Sequence, residues 1–230
     1  MIELPIFPLN TVLFPGMPLP LHVFEPRYRL MMQRAMESDK LFGVALMSEG
    51  AEGFKGTRPV PIGCAARILQ LARLPDGRLN IQSEGTRRFQ IHGLREEDEY
   101  LIAEIEWLDD DALSDEEQGQ MRARTREVGG ALRRYLSLVA PGSQRALKEM
   151  EMPSDAAELS HWVAVLLSIS NTQKQELLET TSTLERLEHE LRLLQRAHII
   201  QQAFLRRPDN DETPASGDDP TGNASFLWMN

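Results

Sequence analysis

The sequence predicts an α+β protein: a strand-rich half over residues 1–108, an all-helical half over residues 109–207 and an acidic tail over residues 208–230. Three observations carry this. Pro5, Pro8, Pro15, Pro18 and Pro20 punctuate the opening too often for helix. Asp76-Gly77 between two apolar runs signals a hairpin. Beyond Asp109-Asp110-Asp111, four segments open with a cap-like residue three positions before Glu or Gln.

The short apolar runs Ile6-Phe7, Val12-Leu13-Phe14 and Leu19 to Phe24 read as strands broken by bends, with Pro15-Gly16 a tight turn. Pro26 suits the first position of a helix carrying Tyr28, Leu30, Met31, Met32, Ala35 and Met36. Phe42 to Met47 reads as a strand, and the Gly- and charge-rich residues 48–58 as a loop. Gly63 to Leu74 and Leu79 to Glu84 flank the hairpin turn, and Arg87 to Ile91 and Tyr100 to Leu108 are further strands. In the last of these, Leu101, Ala103, Ile105 and Trp107 alternate with a wetter set.

In the second half, Ser114 with Glu117 opens a helix to about Val139, stopped by Pro141-Gly142. Asp155 with Glu158, Thr172 with Gln175, and Ser182 with Glu185 open three more, the last reaching about Arg207. Leu184, Leu187, Leu191 and Leu194 form an a/d-like seam on that last helix. The plain reading is packing against the protein's own helices; the alternative is pairing with a partner helix. Residues 208–230 are rich in Asp, Asn, Gly, Ser, Thr and Pro and are expected to be disordered. They end in an apolar stretch, Phe226-Leu227-Trp228-Met229, readable as a loose end or as a docking tag.

Charge bounds the function classes. Half of the net −10 sits in residues 208–230, which hold five acidic residues and no Lys or Arg. The remainder is near neutral, which argues against a dedicated nucleic-acid surface. The single Cys64 forms no intrachain disulfide and fits a reducing compartment, so a cytoplasmic location is expected. No secretory signal and no 18-residue apolar run is visible, and no membrane association is expected.

No motif supplies an engine. A P-loop and a Gly-x-Ser-x-Gly elbow are both absent from the sequence. Lys40, Lys55, Lys148 and Lys174 sit among polar neighbours, and none is expected to be buried as a Ser-Lys protease would require. His189-Glu190 is half of a zinc motif whose second histidine position holds Leu193. Cys64, in Gly63-Cys64-Ala65-Ala66, reads as an inert core thiol. Asp109–Asp111 reads as a solvated connector, and Arg27, Arg29, Arg34, Arg87 and Arg88 as partners for nearby acids. No metal and no cofactor is expected.

The ordered motifs resemble one family. Leu4-Pro5-Ile6-Phe7-Pro8-Leu9-Asn10-Thr11-Val12-Leu13-Phe14-Pro15-Gly16 and Phe24-Glu25-Pro26-Arg27-Tyr28 resemble the opening of the N-terminal, substrate-binding domain of Lon proteases. Pro61 to Ile68, Leu74 to Arg78, Glu84-Gly85-Thr86-Arg87-Arg88-Phe89, Lys174 to Glu179 and Leu184-Glu185-Arg186-Leu187 continue the match, over roughly residues 2–206. The resemblance implies a PUA-like six-stranded mixed β-barrel with one helix, followed by a C-terminal helical bundle. It also implies a non-catalytic role in capturing polypeptides. Lon itself continues into a coiled coil, an ATPase and a Ser-Lys protease, so a stand-alone module without that motor is expected.

The implied partners are unfolded or tagged polypeptides and a protease for which the chain acts as adaptor; a monomer or weak dimer is expected. Phe14, Met17, Met31, Met32 and Met36 are candidate contact residues, because Met clusters suit promiscuous binding. Ordinary core packing is the competing reading for each. A PUA-like RNA-binding module and an uncharacterised peptidase are the alternative functions.

Overall fold

The computed structural model describes residues 2–47, 58–97, 100–112, 114–140, 142 and 149–205. The chain forms β1 (Ile2–Leu9), β2 (Pro18–Val23), α1 (Pro26–Glu37), β3 (Leu41–Leu46), β4 (Ile62–Arg73), β5 (Leu79–Glu97) and β6 (Tyr100–Leu108). Four helices follow: α2 (Asp115–Val139), α3 (Ala156–Leu166), α4 (Asn171–Glu179) and α5 (Thr183–Leu205). The expected loop at 48–57, the stop at Pro141, the last turn to Arg207 and the tail 208–230 lie outside the described residues.

The six strands form one mixed sheet in the order β2-β5-β4-β3-β1-β6, and β5 also pairs with β6. Successive neighbours from β5 through β4, β3, β1 and β6 therefore return to β5. Its length makes this possible. Leu79–Glu84 pairs with β2, Leu79–Gln90 with β4, and Arg88–Glu97 with β6. The sequence suggested two strands interrupted at Gly85-Thr86, but β5 is continuous. Ala65 pairs with Arg87 and Ala66 with Gly85, so Thr86 is the extra residue of a bulge that bends the strand without ending it.

Two prolines inside β1 are tolerated for a positional reason. β6 pairs with Ile2–Ile6 and β3 with Ile6–Leu9. Pro5 and Pro8 thus each have a strand on one side only, so a missing N–H leaves no gap between two partners. Val12–Phe14, expected as a strand, is instead a buried loop. It wedges between the layers: Leu13 packs with the sheet core, and Val12 and Phe14 with Ala164, Leu177 and Leu178 of the helices.

Helix α1 lays Tyr28, Met31, Met32 and Ala35 onto the sheet at helical spacing. There Tyr28 meets Phe7 edge-on at 4.4 Å, and Phe7 meets Phe42 at 6.4 Å. In the second half, Val128, Leu132, Leu159, Val163, Leu187, Leu191 and Leu194 form a core shared by α2, α3 and α5. The leucine seam of α5 is spent there, up to Leu194. The capping box at Ser114 and the cap at Asp155 form as expected. The cap of α4 is Ser170 with Gln173, two residues before the expected Thr172.

Candidate functional site

The densest polar constellation lies where the sheet meets the helices. Arg88 of β5 donates to the carbonyls of Leu178 (2.6 Å) and Thr180 (2.8 Å) and pairs with Asp110. Arg186 of α5 donates to Asp110 Oδ2 (2.8 Å), to Thr180 O (2.7 Å) and, through Nε, to Ser160 Oγ (2.7 Å). Ser160 in turn donates to Glu190 Oε1 at 2.8 Å. Arg87 holds Asp109 bidentately, and Thr181 holds Asp111 at 2.8 Å. The expected solvated connector is corrected at Asp110, which clasps the sheet to the helices; Asp109 and Asp111 are exposed. Asp110 and Asp111 accept hydrogen bonds from the helical half, whereas Arg87 and Asp109 both belong to the sheet side. Burial pushes Asp110 up, but Arg186, Thr183 and Arg88 together outweigh it and hold the carboxyl below its ordinary range. The groups neutralise one another, which suits a strut rather than a reaction centre.

No hydrogen bond joins Cys64, His161, Lys174 or Glu190 to another of these four among the described residues. Cys64 is buried, and burial pushes its thiol up to about 12. His161 is pushed down to about 3, first by burial and then by the charge of Arg186, and its ring lies 6.2 Å from that of Phe14. Lys174, expected in the open, is half-buried, and burial lowers its pKa; Nζ donates to Val165 O at 3.4 Å. Glu190 points inward to Ser160, away from any zinc-like set. Among the described residues no group of three or more His, Cys, Asp or Glu could hold a metal ion.

The five candidate contact residues divide by burial. Phe14, Met31 and Met32 are 0 % exposed and belong to the core. They cannot meet a partner without opening it, so for these three core packing replaces the surface role. Met17 and Met36 are half-buried and pack against the same cores. The core-packing reading of the Met cluster describes α1, which turns its apolar face inward.

The free edge of β2 offers little to a partner strand. Gly85 N donates to Met17 O, which places Met17, Leu19, Leu21 and Val23 in the pairs bonded to β5. Pro18, Pro20 and His22 then face the open edge, and the two prolines have no N–H to give.

A cavity of about 1180 Å³ runs along α2, against the segment that leads into α3. Its apolar lining includes the half-buried Met152 and Pro153 and the buried Met121 and Leu159; among the described residues Arg122, Arg126 and Arg133 line it with one acid, Asp155. Arg133 spans the banks by donating to Met150 O at 3.1 Å. Arg122 and Arg126 are exposed and have no carboxylate partner among the described residues. All three glycines of α2 (Gly119, Gly129 and Gly130) line this groove. Each costs a helix interior about 1 kcal/mol relative to Ala. The chain's own packing does not require them. A Cβ at Gly119 would meet nothing within 4 Å, and at Gly129 its nearest neighbour would be Met152 Sδ at 3.8 Å. The sequence reading missed this groove. Its signal was a helix carrying Arg122, Arg126 and Arg133 together with three glycines.

Comparison with known proteins agrees with this architecture. Residues 3–196 match the family described as the ATP-dependent protease La (LON) substrate-binding domain. Lon protease 1 of Hydrogenovibrio crunogenus is 30 % identical over 187 residues, covering 81 % of this chain and 23 % of that protein. Lon protease of Escherichia coli strain K12 is 27 % identical over 196 residues, covering 84 % of this chain and 25 % of that protein. The chain thus spans about a quarter of the length of these relatives. A crystal structure of a Lon N-terminal domain protein from Xanthomonas campestris superposes with a TM-score of 0.59 at 28 % identity, covering 84 % of this chain and 98 % of that one. The N-terminal domain of Mycobacterium avium complex Lon protease gives 0.64 at 23 % identity and the same coverages, a likeness of fold. The chain belongs to the Lon substrate-binding domain family.

Proposed function

We propose that this chain is a non-catalytic polypeptide-binding module that holds unfolded or tagged segments and acts as an adaptor toward a protease. On this reading the ring of strand pairings is a PUA-like barrel, and α2, α3 and α5 are the core of a helical bundle. The observation that carries the proposal is the α2–α3 groove. Its half-buried Met152 and Pro153, its arginines and its side-chain-free glycines suit an extended segment with apolar and acidic side chains. Strand addition at β2 is the weaker route, because prolines occupy its open edge.

The test is fluorescence anisotropy with a labelled, reduced and alkylated polypeptide that cannot fold. Binding is expected to weaken about tenfold in Arg122→Glu/Arg126→Glu and in the groove-filling Gly129→Leu. Equal binding by all three chains would remove the groove from the proposal.

A further inference from the structure

We infer that residues 208–230 of this chain dock back into the α2–α3 groove and compete with the polypeptide client proposed above, on whose groove assignment this inference rests. Charge is the first argument. These residues carry Asp209, Asp211, Glu212, Asp218 and Asp219 with no Lys or Arg. Among the described residues the groove carries Arg122 and Arg126, neither with a carboxylate partner, and one aspartate, Asp155. The apolar end matches as well: Phe226, Leu227, Trp228 and Met229 follow the acids, and the half-buried Met152 and Pro153 line the same groove as the arginines.

Reach is the second argument. Asp111 N donates to Thr181 O at 3.1 Å, so α2 and α5 start from the same end. Arg124 pairs with Glu188 at 3.0 Å further along. The two helices therefore run in the same direction, and Leu205 lies toward the end of the molecule at which α2 finishes. From Gln118 to Arg133 the groove is roughly 22 Å long, at about 1.5 Å per helical residue. Twenty residues separate Leu205 from Phe226, a span of roughly 65 Å when extended. The segment can turn back along the full groove. A tether of this length supplies an effective concentration on the order of millimolar, so modest contacts suffice for occupancy.

The experiment uses the full chain carrying Ser225→Cys with a nitroxide label; the native thiol, Cys64, is buried and stays unlabelled. Amide signals of Gln118–Gly130, Met152 and Ser154–Ala156 are expected to broaden, with no dependence on protein concentration. Arg122→Glu/Arg126→Glu should restore them. In a second arm, a full-length variant with the five tail acids changed to Asn or Gln should bind the unfolded polypeptide about tenfold more tightly than the parent. Broadening that fades on dilution would assign the contact to a second copy and overturn docking within one chain. Absence of broadening, with equal polypeptide binding by both chains, would sink the tail inference and leave the binding function standing. Persistent broadening with no polypeptide bound by either chain would instead sink the binding function and leave the docked segment.

Discussion

Arg186, 0 % exposed, donates from Nη2 to Asp110 Oδ2 at 2.8 Å, and through this pair the last helix is fastened to the turn that leaves the sheet. Asp110 also pairs with Arg88, whose side chain is 3 % exposed. Asp110→Asn would leave two guanidinium groups buried with their counter-charge gone. Breaking such a network from one side costs about 3–5 kcal/mol. Urea denaturation should show that loss, and the variant's stability should respond less to acid. The wild-type carboxyl is held below its unfolded value, so its contribution is present above the ordinary carboxylate range. That contribution is lost as pH falls through the lowered folded value.

Glu190 behaves in the opposite sense. It is 0 % exposed, its Oε2 has no hydrogen-bond partner among the described residues, and burial raises its pKa well above the ordinary value. The folded state therefore keeps a proton that the unfolded chain releases above about pH 4.3. Stability from this site must fall as pH rises from there toward the folded value. Glu190→Gln keeps the acceptor for Ser160 and removes the titration. Its unfolding free energy should be nearly flat where the wild type declines. An unchanged slope between pH 5 and 8 would show that Glu190 is ionised in the fold.

The strand-then-helix order was legible because local chemistry encodes it. The Asp76-Gly77 turn forms with Gly77 at φ +83°, and Ser114-x-x-Glu117 closes its capping box. What was hidden depended on contacts distant in sequence. Asp110 looks like one of three solvated acids until Arg88 and Arg186, 22 and 76 residues away, converge on it. Val12–Phe14 has the composition of a strand, yet its neighbours are α3 and α4, and no local pattern announces a wedge. The groove was hidden for the same reason, since its far bank is Met152–Leu159.

Gly85 is set by one close approach. It donates to Met17 O at 2.9 Å and accepts from Gly16 N at 2.8 Å, which clamps the wedge loop onto β5. An added Cβ would stand 2.1 Å from Phe14 O. Backbone must then move, and Phe14 with it. Gly85→Ala is expected to lower stability by about 1–3 kcal/mol, the range of overpacked sites. A thermal melt matching the wild type would mean that the loop yields freely.

Cys64 should be chemically silent in the folded protein. Its thiol is wholly buried and pushed up to about 12, so the thiolate fraction at neutral pH is negligible. A disulfide exchange reagent should titrate no thiol under native conditions and one in denaturant. Rapid native reaction would place Cys64 in a segment that opens locally.

The glycines of α2 separate stability from binding. Gly119→Ala and Gly129→Ala each add a methyl group where no atom is displaced. Each removes the flexibility that glycine confers on an unfolded chain, a gain of about 0.5–1 kcal/mol. The sites are roughly 15 Å apart along the helix, so the two gains should add. If the groove holds a polypeptide, the same methyl groups narrow it, and the stabilised double variant should bind the unfolded polypeptide more weakly than the wild type. A more stable protein with worse binding would identify the glycines as a concession to the ligand. A more stable protein with unchanged binding would leave them without a role in the groove.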